Sequence, residues 1–118
     1  SNNIVVKSVV GEFLEHSRLF IFGHDEARDL EVIMGSADLM ERNLERRIEV
    51  LVPLTDVALR GEVLSCFATT WRDDTYSWIL GADRRWRRTQ AIDGIAVHDI
   101  LRDKANAERT HGKAKRLR

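Results

Sequence analysis

The chain has 118 residues, 43% hydrophobic and 32% charged, with 19 basic and 19 acidic side chains that cancel to zero net charge. That composition excludes a disordered segment, the charge balance gives no global signal of a polyanionic partner, and the single Cys66 excludes an internal disulfide and suits a reducing cytosol. No apolar run approaches the roughly 18 residues that cross a bilayer, and no charged-then-apolar leader is visible. Two biases lie beneath the balance. Fifteen of the 19 bases are Arg, whose planar fork suits phosphate or carboxylate, and the last seventeen residues carry seven bases against two acids.

In chain order, residues 1–3 read as a boundary scar, and the β-branched run from Ile4 to Val10 predicts a first short strand. Leu19 to Phe22 predicts a second, ending at Gly23. The polar stretch from Gly23 to Asp29 reads as a hairpin-like connection, and Leu30 to Met34 as the strand it leads to. Residues 36–46 predict a loop with a helical turn. Arg46 to Leu54 reads as a strand with Ile48, Val50 and Val52 on one face. Thr55 or Asp56 can cap a helix over about 57–71, whose inner line would be Leu59, Val63, Phe67 and Trp71. Ser77 to Leu80 and Trp86 to Gln90 predict two short strands around a Gly81-Ala82-Asp83 turn. Asp93 opens a last helix, and beyond Lys104 the apolar pattern stops and a basic tail over 105–118 is expected to fray. The sum is an α/β (α+β layered) domain over 4–104, a mixed sheet flanked by helices.

Two clusters could carry chemistry. Glu15-His16-Ser17-Arg18 stands at the entry to the 19–22 strand, where a period of two places His16 and Arg18 on one face. An imidazole beside a guanidinium suits phosphate, because His can act as nucleophile or proton donor while Arg supplies fixed charge. The plain alternative is a surface His with Arg18 salt-bridged to Glu15 or Glu31. The second cluster is Gly35-Ser36-Ala37-Asp38 at a strand end, where a turn can offer backbone N–H groups and a hydroxyl to phosphate, or be only a turn. Arg42, Asn43, Arg46 and Arg47 follow, and Glu45 and Glu49 can pair with some of them. A third group, Arg84-Arg85-Trp86-Arg87-Arg88, either binds polyanions or protects an exposed strand edge by charge. His24 and His111 read as solvated, His98 as a surface or partly packed helical residue, and Trp71, Trp78 and Trp86 as core or interface residues.

The order His-x-Arg, strand, loop, strand, Gly-Ser-Ala-Asp, then Arg/Asn resembles one half of a phospholipase D-like site. Arg18 stands where that superfamily has Lys. The narrower likeness is carried by Phe13-Leu14-Glu15-His16-Ser17-Arg18, Ile33-Met34-Gly35-Ser36-Ala37-Asp38-Leu39-Met40 and Arg42-Asn43-Leu44-Glu45-Arg46-Arg47-Ile48-Glu49-Val50. These look like the second phospholipase D-like domain of the polyphosphate kinase 1 family. Glu12 sits where Arg is expected and could weaken local anion attraction. Leu39 sits where Trp is expected and alters an apolar contact.

The resemblance implies an enzyme that reversibly transfers the terminal phosphoryl group of ATP to polyphosphate through a phosphohistidine in a domain this chain lacks. His16 would be the second histidine, contacting nucleotide phosphates and helping the leaving group. Ser36 would be a phosphate contact, with Arg18 and Asn43 supporting the pocket. ATP or ADP would be substrates, and Mg2+ would be held by ligands outside residues 1–118. The implied partners are polyphosphate and the remaining kinase domains, in a homo-oligomer, with no nucleic acid and no transmembrane segment. The implied compartment is the cytoplasm, peripheral to the inner membrane. Two other readings compete: a phosphodiesterase or nuclease half-site completed by dimerisation, and a non-catalytic polyanion-binding module built on Arg84 to Arg88 and the tail.

Overall fold

The computed structural model describes residues 3–23 and 30–116. The chain divides into two compact units, one formed by residues 1–15 with 65–118 and the other by residues 16–64. Each unit is built on its own three-stranded antiparallel sheet.

In the unit of residues 16–64, β2 (Leu19–Phe22), β3 (Glu31–Gly35) and β4 (Leu51–Pro53) pair in the order β2-β3-β4. Phe20 faces Ile33 across one ladder and Ile33 faces Pro53 across the next. Pro53 lacks an N–H, and β4 lies at the sheet's edge, where a missing donor costs no ladder bond. Val32 on β3 is 1% exposed and Ala37 is 4% exposed, so the buried apolar part of this unit sits beneath β3 and the loop after it. The short helix α1 (Glu41–Arg46) follows that loop.

The other unit carries β1 (Lys7–Val9), β5 (Ser77–Leu80) and β6 (Trp86–Arg88), in the order β1-β5-β6. Between β5 and β6 the chain turns through Gly81–Arg85, closed by Arg84 N–H donating to the Gly81 carbonyl at 2.9 Å. Arg84 takes φ 64°, the left-handed conformation that a bulged hairpin loop of this length requires. α2 (Val57–Arg72) runs from one unit into the other. Its start is capped as expected, with Asp56 Oδ1 accepting the Leu59 N–H at 2.9 Å. Its end is closed by Lys7, whose ammonium donates to the Trp71 and Asp73 carbonyls and meets the negative end of the helix dipole.

The layered α/β class and the position of most elements agree with the sequence. The expected mixed sheet is instead two antiparallel sheets, because every described strand pairing is antiparallel. The Arg46–Leu54 strand shrinks to Leu51–Pro53, since Arg46 closes α1 and Ile48 is fully exposed. The amphipathic line of α2 stays half open: Leu59 is 55% exposed, Trp71 48% and Phe67 41%. Phe67 and Trp71 cover each other by stacking, 6.3 Å apart. The last helix, α3 (Val97–Arg116), starts after Asp93 and continues well past Lys104. Its continuation past the last apolar residue needs no packing, because Lys, Arg, Ala and Glu are good intrinsic helix formers. Residues 24–29 of the expected connection, with His24, and the scar at Ser1 and Asn2 fall outside the described residues, as does the side chain of His111.

Candidate functional site

Strand pairing brings the two sequence clusters of the 16–64 unit together. Antiparallel pairing of β2 with β3 sets Leu19 opposite Met34, so the entry of β2 lies beside the exit of β3. Gly35 N–H donates to the Arg18 carbonyl at 3.1 Å, which extends the ladder into both motifs. His16 is exposed at this entry.

Arg18 does not pair with Glu15 or Glu31. Its Nε reaches Asp38 Oδ1 at 2.7 Å and its Nη2 reaches Asp38 Oδ2 at 3.2 Å, a bidentate fork, while Nη1 donates to the His16 carbonyl at 3.2 Å. The Arg18 hydrogen bond holds the Asp38 carboxyl below the usual carboxylate range, and the same bond makes the guanidinium hold its proton more tightly. Asn43, 2% exposed on α1, adds to that preference for the charged form. Asn43 Oδ1 also accepts from Arg47 Nη1 at 3.4 Å.

Ser36 is equally occupied. Its N–H donates to the Val50 carbonyl at 3.0 Å, its Oγ accepts the Val50 N–H at 3.1 Å, and its hydroxyl donates to Glu49. The Gly-Ser turn therefore commits the N–H groups of Gly35 and Ser36 to the chain itself; the sequence suggested they would face a ligand. Glu49 in turn lies 3.5 Å from Arg47 Nε. Asp38, quoted within the motif but given no role by the sequence, is the residue that holds Arg18. Its signal was the acid three positions after Gly35, opposite an Arg two positions after the histidine.

Beyond this cluster, His98 is not a surface residue. It is 3% exposed, and its Nδ1 accepts the Phe13 N–H at 3.2 Å. That leaves the ring proton on Nε2, which lies 2.9 Å from Glu15 Oε1 and donates to it. Phe13 and Tyr76 close over the ring, each with its centroid 5.4 Å away. Glu12 pairs with Arg102 at 2.8 Å, and Leu39 is 78% exposed. In the basic hairpin, Arg87 is bound bidentately by Asp83 and Arg88 donates to the Thr75 carbonyl, so two of its four guanidinium groups serve the hairpin. Trp86 is 45% exposed beside them. Among the described residues no group of three or more His, Cys, Asp or Glu is placed to hold a metal ion, and no helix is long and apolar enough to cross a membrane.

Comparison with known proteins accounts for this arrangement. A solved chain, the polyphosphate kinase of Porphyromonas gingivalis, superposes with a TM-score of 0.76 and 28% identity over 92% of this chain and 17% of its own length. The fold is thus that of one α/β segment within a much longer kinase chain. The family model described as "Polyphosphate kinase C-terminal domain 2" matches residues 1–99. Polyphosphate kinases of Streptomyces coelicolor and Mycobacterium avium are 48% identical over 101 residues and 42% identical over 99, covering 85% and 84% of this chain. The chain belongs to the polyphosphate kinase family. It spans about 13% of the length of these two relatives.

Proposed function

We propose that this chain supplies one half of the phosphoryl-transfer site of a polyphosphate kinase, with His16 as its phosphate-contacting histidine. The supporting observation is the convergence of His16 and Arg18 with the Ser36–Asp38 loop and Asn43 at one end of a single sheet. The reaction moves the terminal phosphoryl of ATP onto polyphosphate, reversibly, through a phosphohistidine supplied by another domain. Transfer of a phosphoryl group needs alignment and charge compensation more than covalent help from this half. An exposed imidazole can contact the nucleotide phosphates and pass a proton to the leaving oxygen. Ser36, Arg18 and Asn43 support the pocket around it. Magnesium is assigned to ligands in the other half. The working assembly is a cytoplasmic homo-oligomer that includes the remaining kinase domains.

The test is a chimaera in which this chain replaces the matching segment of the Streptomyces coelicolor kinase. The chimaera should make polyphosphate, and His16→Ala should reduce synthesis to background. The 118-residue chain alone should make none from ATP and Mg2+. Synthesis by the isolated chain, or full activity of the His16→Ala chimaera, overturns this reading.

A further inference from the structure

We propose that Asp38 is a positioning residue for His16, acting through Arg18, and that Arg18 serves as a brace and not as a phosphate ligand. The proposal rests on the reading of His16 just given and deepens it. One planar guanidinium joins the His16 carbonyl to the Asp38 carboxylate, which follows it by 22 positions in the chain. The main chain repeats the link, because the Arg18 carbonyl accepts the Gly35 N–H. The His16 carbonyl is thereby tied through Arg18 to the loop after β3, and the Arg18 backbone to the end of β3.

Charge points the same way. A phosphate approaching Arg18 meets the Asp38 carboxylate only a hydrogen bond further on. Unit charges of opposite sign at such similar distances nearly cancel, so the pair offers a polyphosphate chain little net attraction. What the pair can supply is position. Three of the five guanidinium N–H groups are already used within the protein, in a geometry that a lysine ammonium cannot reproduce. Misplacing a group by about 1 Å can cost on the order of 100-fold in rate, so a brace of this kind would be felt in turnover.

The two roles predict opposite behaviour. If Arg18 were a phosphate ligand restrained by Asp38, Asp38→Asn would release its charge and tighten polyphosphate binding. If the pair is a brace, Asp38→Asn and Arg18→Lys should each lower kcat by roughly 10- to 100-fold. KM for polyphosphate should then stay within about twofold, and the double variant should be no worse than either single one, as for residues acting as a unit. These constants are measured in the chimaera. In the 118-residue chain, carbonyl NMR of His16 reports the Arg18 hydrogen bond directly, and both single variants should shift it while the amide spectrum stays folded. A lower KM in Asp38→Asn, unchanged kcat, multiplicative losses in the double variant, or an unmoved His16 carbonyl overturns the brace. His16→Ala is assayed beside them. Retained activity there removes the underlying reading and the proposal with it, whereas loss there with unchanged Asp38→Asn removes the brace alone.

Discussion

The buried carboxylate of Asp73 accepts the backbone N–H of Val97 at 2.9 Å, across 24 positions of sequence. It also accepts the Tyr76 N–H at 2.9 Å and the Ser77 hydroxyl at 2.6 Å, so one side chain joins the end of α2, the start of β5 and the start of α3. Asp73→Ala leaves buried donors without partners, at about 1–3 kcal/mol for each such group. We expect a loss of about 3 kcal/mol or more in urea unfolding, with Asp73→Asn milder because it keeps an acceptor oxygen. A loss below about 1 kcal/mol would show that these bonds are replaced by water.

Its neighbour Asp74 accepts four backbone N–H groups, from Ile92, Asp93, Gly94 and Ile95. Burial opposes ionisation of Asp74, but the bonds from Asp93, Ile92, Ile95 and Gly94 outweigh it and hold the carboxyl below the usual range. Asp38 and Asp83 are held low by Arg18 and Arg87. For each, the folded pKa lies below the unfolded one, so the unfolded chain binds more protons between the two values and stability rises with pH there. The stabilisation is present above about pH 4 and is lost as pH falls through the folded values. Unfolding midpoints measured from pH 6 to pH 2 should show this acid loss, and Asp74→Asn should flatten it.

Replacing His98 tests the link to Phe13 and Glu15. His98→Ala opens a cavity between Phe13 and Tyr76 and orphans the Phe13 N–H, which should cost about 2–4 kcal/mol. Gln can accept with its oxygen and donate with its nitrogen, so His98→Gln should recover part of that loss. Nitrogen-15 NMR of His98 should show the proton on Nε2 and none on Nδ1; the reverse pattern would exclude both hydrogen bonds read here.

Two backbone positions give opposite outcomes. Arg84 holds φ 64° with a side chain that favours negative φ, and relief of that strain exceeds the entropy glycine adds to the unfolded chain. Arg84→Gly should therefore stabilise the chain by up to about 1 kcal/mol. Gly94 holds φ 67° with open space around a notional Cβ, so Gly94→Ala should cost about 1 kcal/mol through backbone strain alone. Thermal melts of both variants check the pair.

Elements dominated by local pattern were legible. Leu19–Phe22 and Ser77–Leu80 are strands at the expected residues, and Asp56 caps α2 as its position before an apolar helical line suggests. β-branched and aromatic runs, helical spacing and a capping oxygen act over a few residues, so the sequence shows them directly. The motif order around His16 also showed the family, because strand, turn and polar residue follow one another in the chain.

Other features depend on which loops meet. The sequence offered Arg18 two carboxylates, Glu15 and Glu31, and antiparallel pairing of β2 with β3 brought it Asp38 instead. His98 reads as a surface or partly packed helical residue until the Phe13–Glu15 segment closes over it. Asp73 and Asp74 carry no signal in the sequence; the 92–97 segment brings its N–H groups to them in the fold. The sequence by itself determined most of the elements and the family. Only the tertiary structure decided which charges neutralise one another and which polar groups are buried, because hydrogen bonds and ion pairs are set by distances of a few ångströms between residues twenty or more apart.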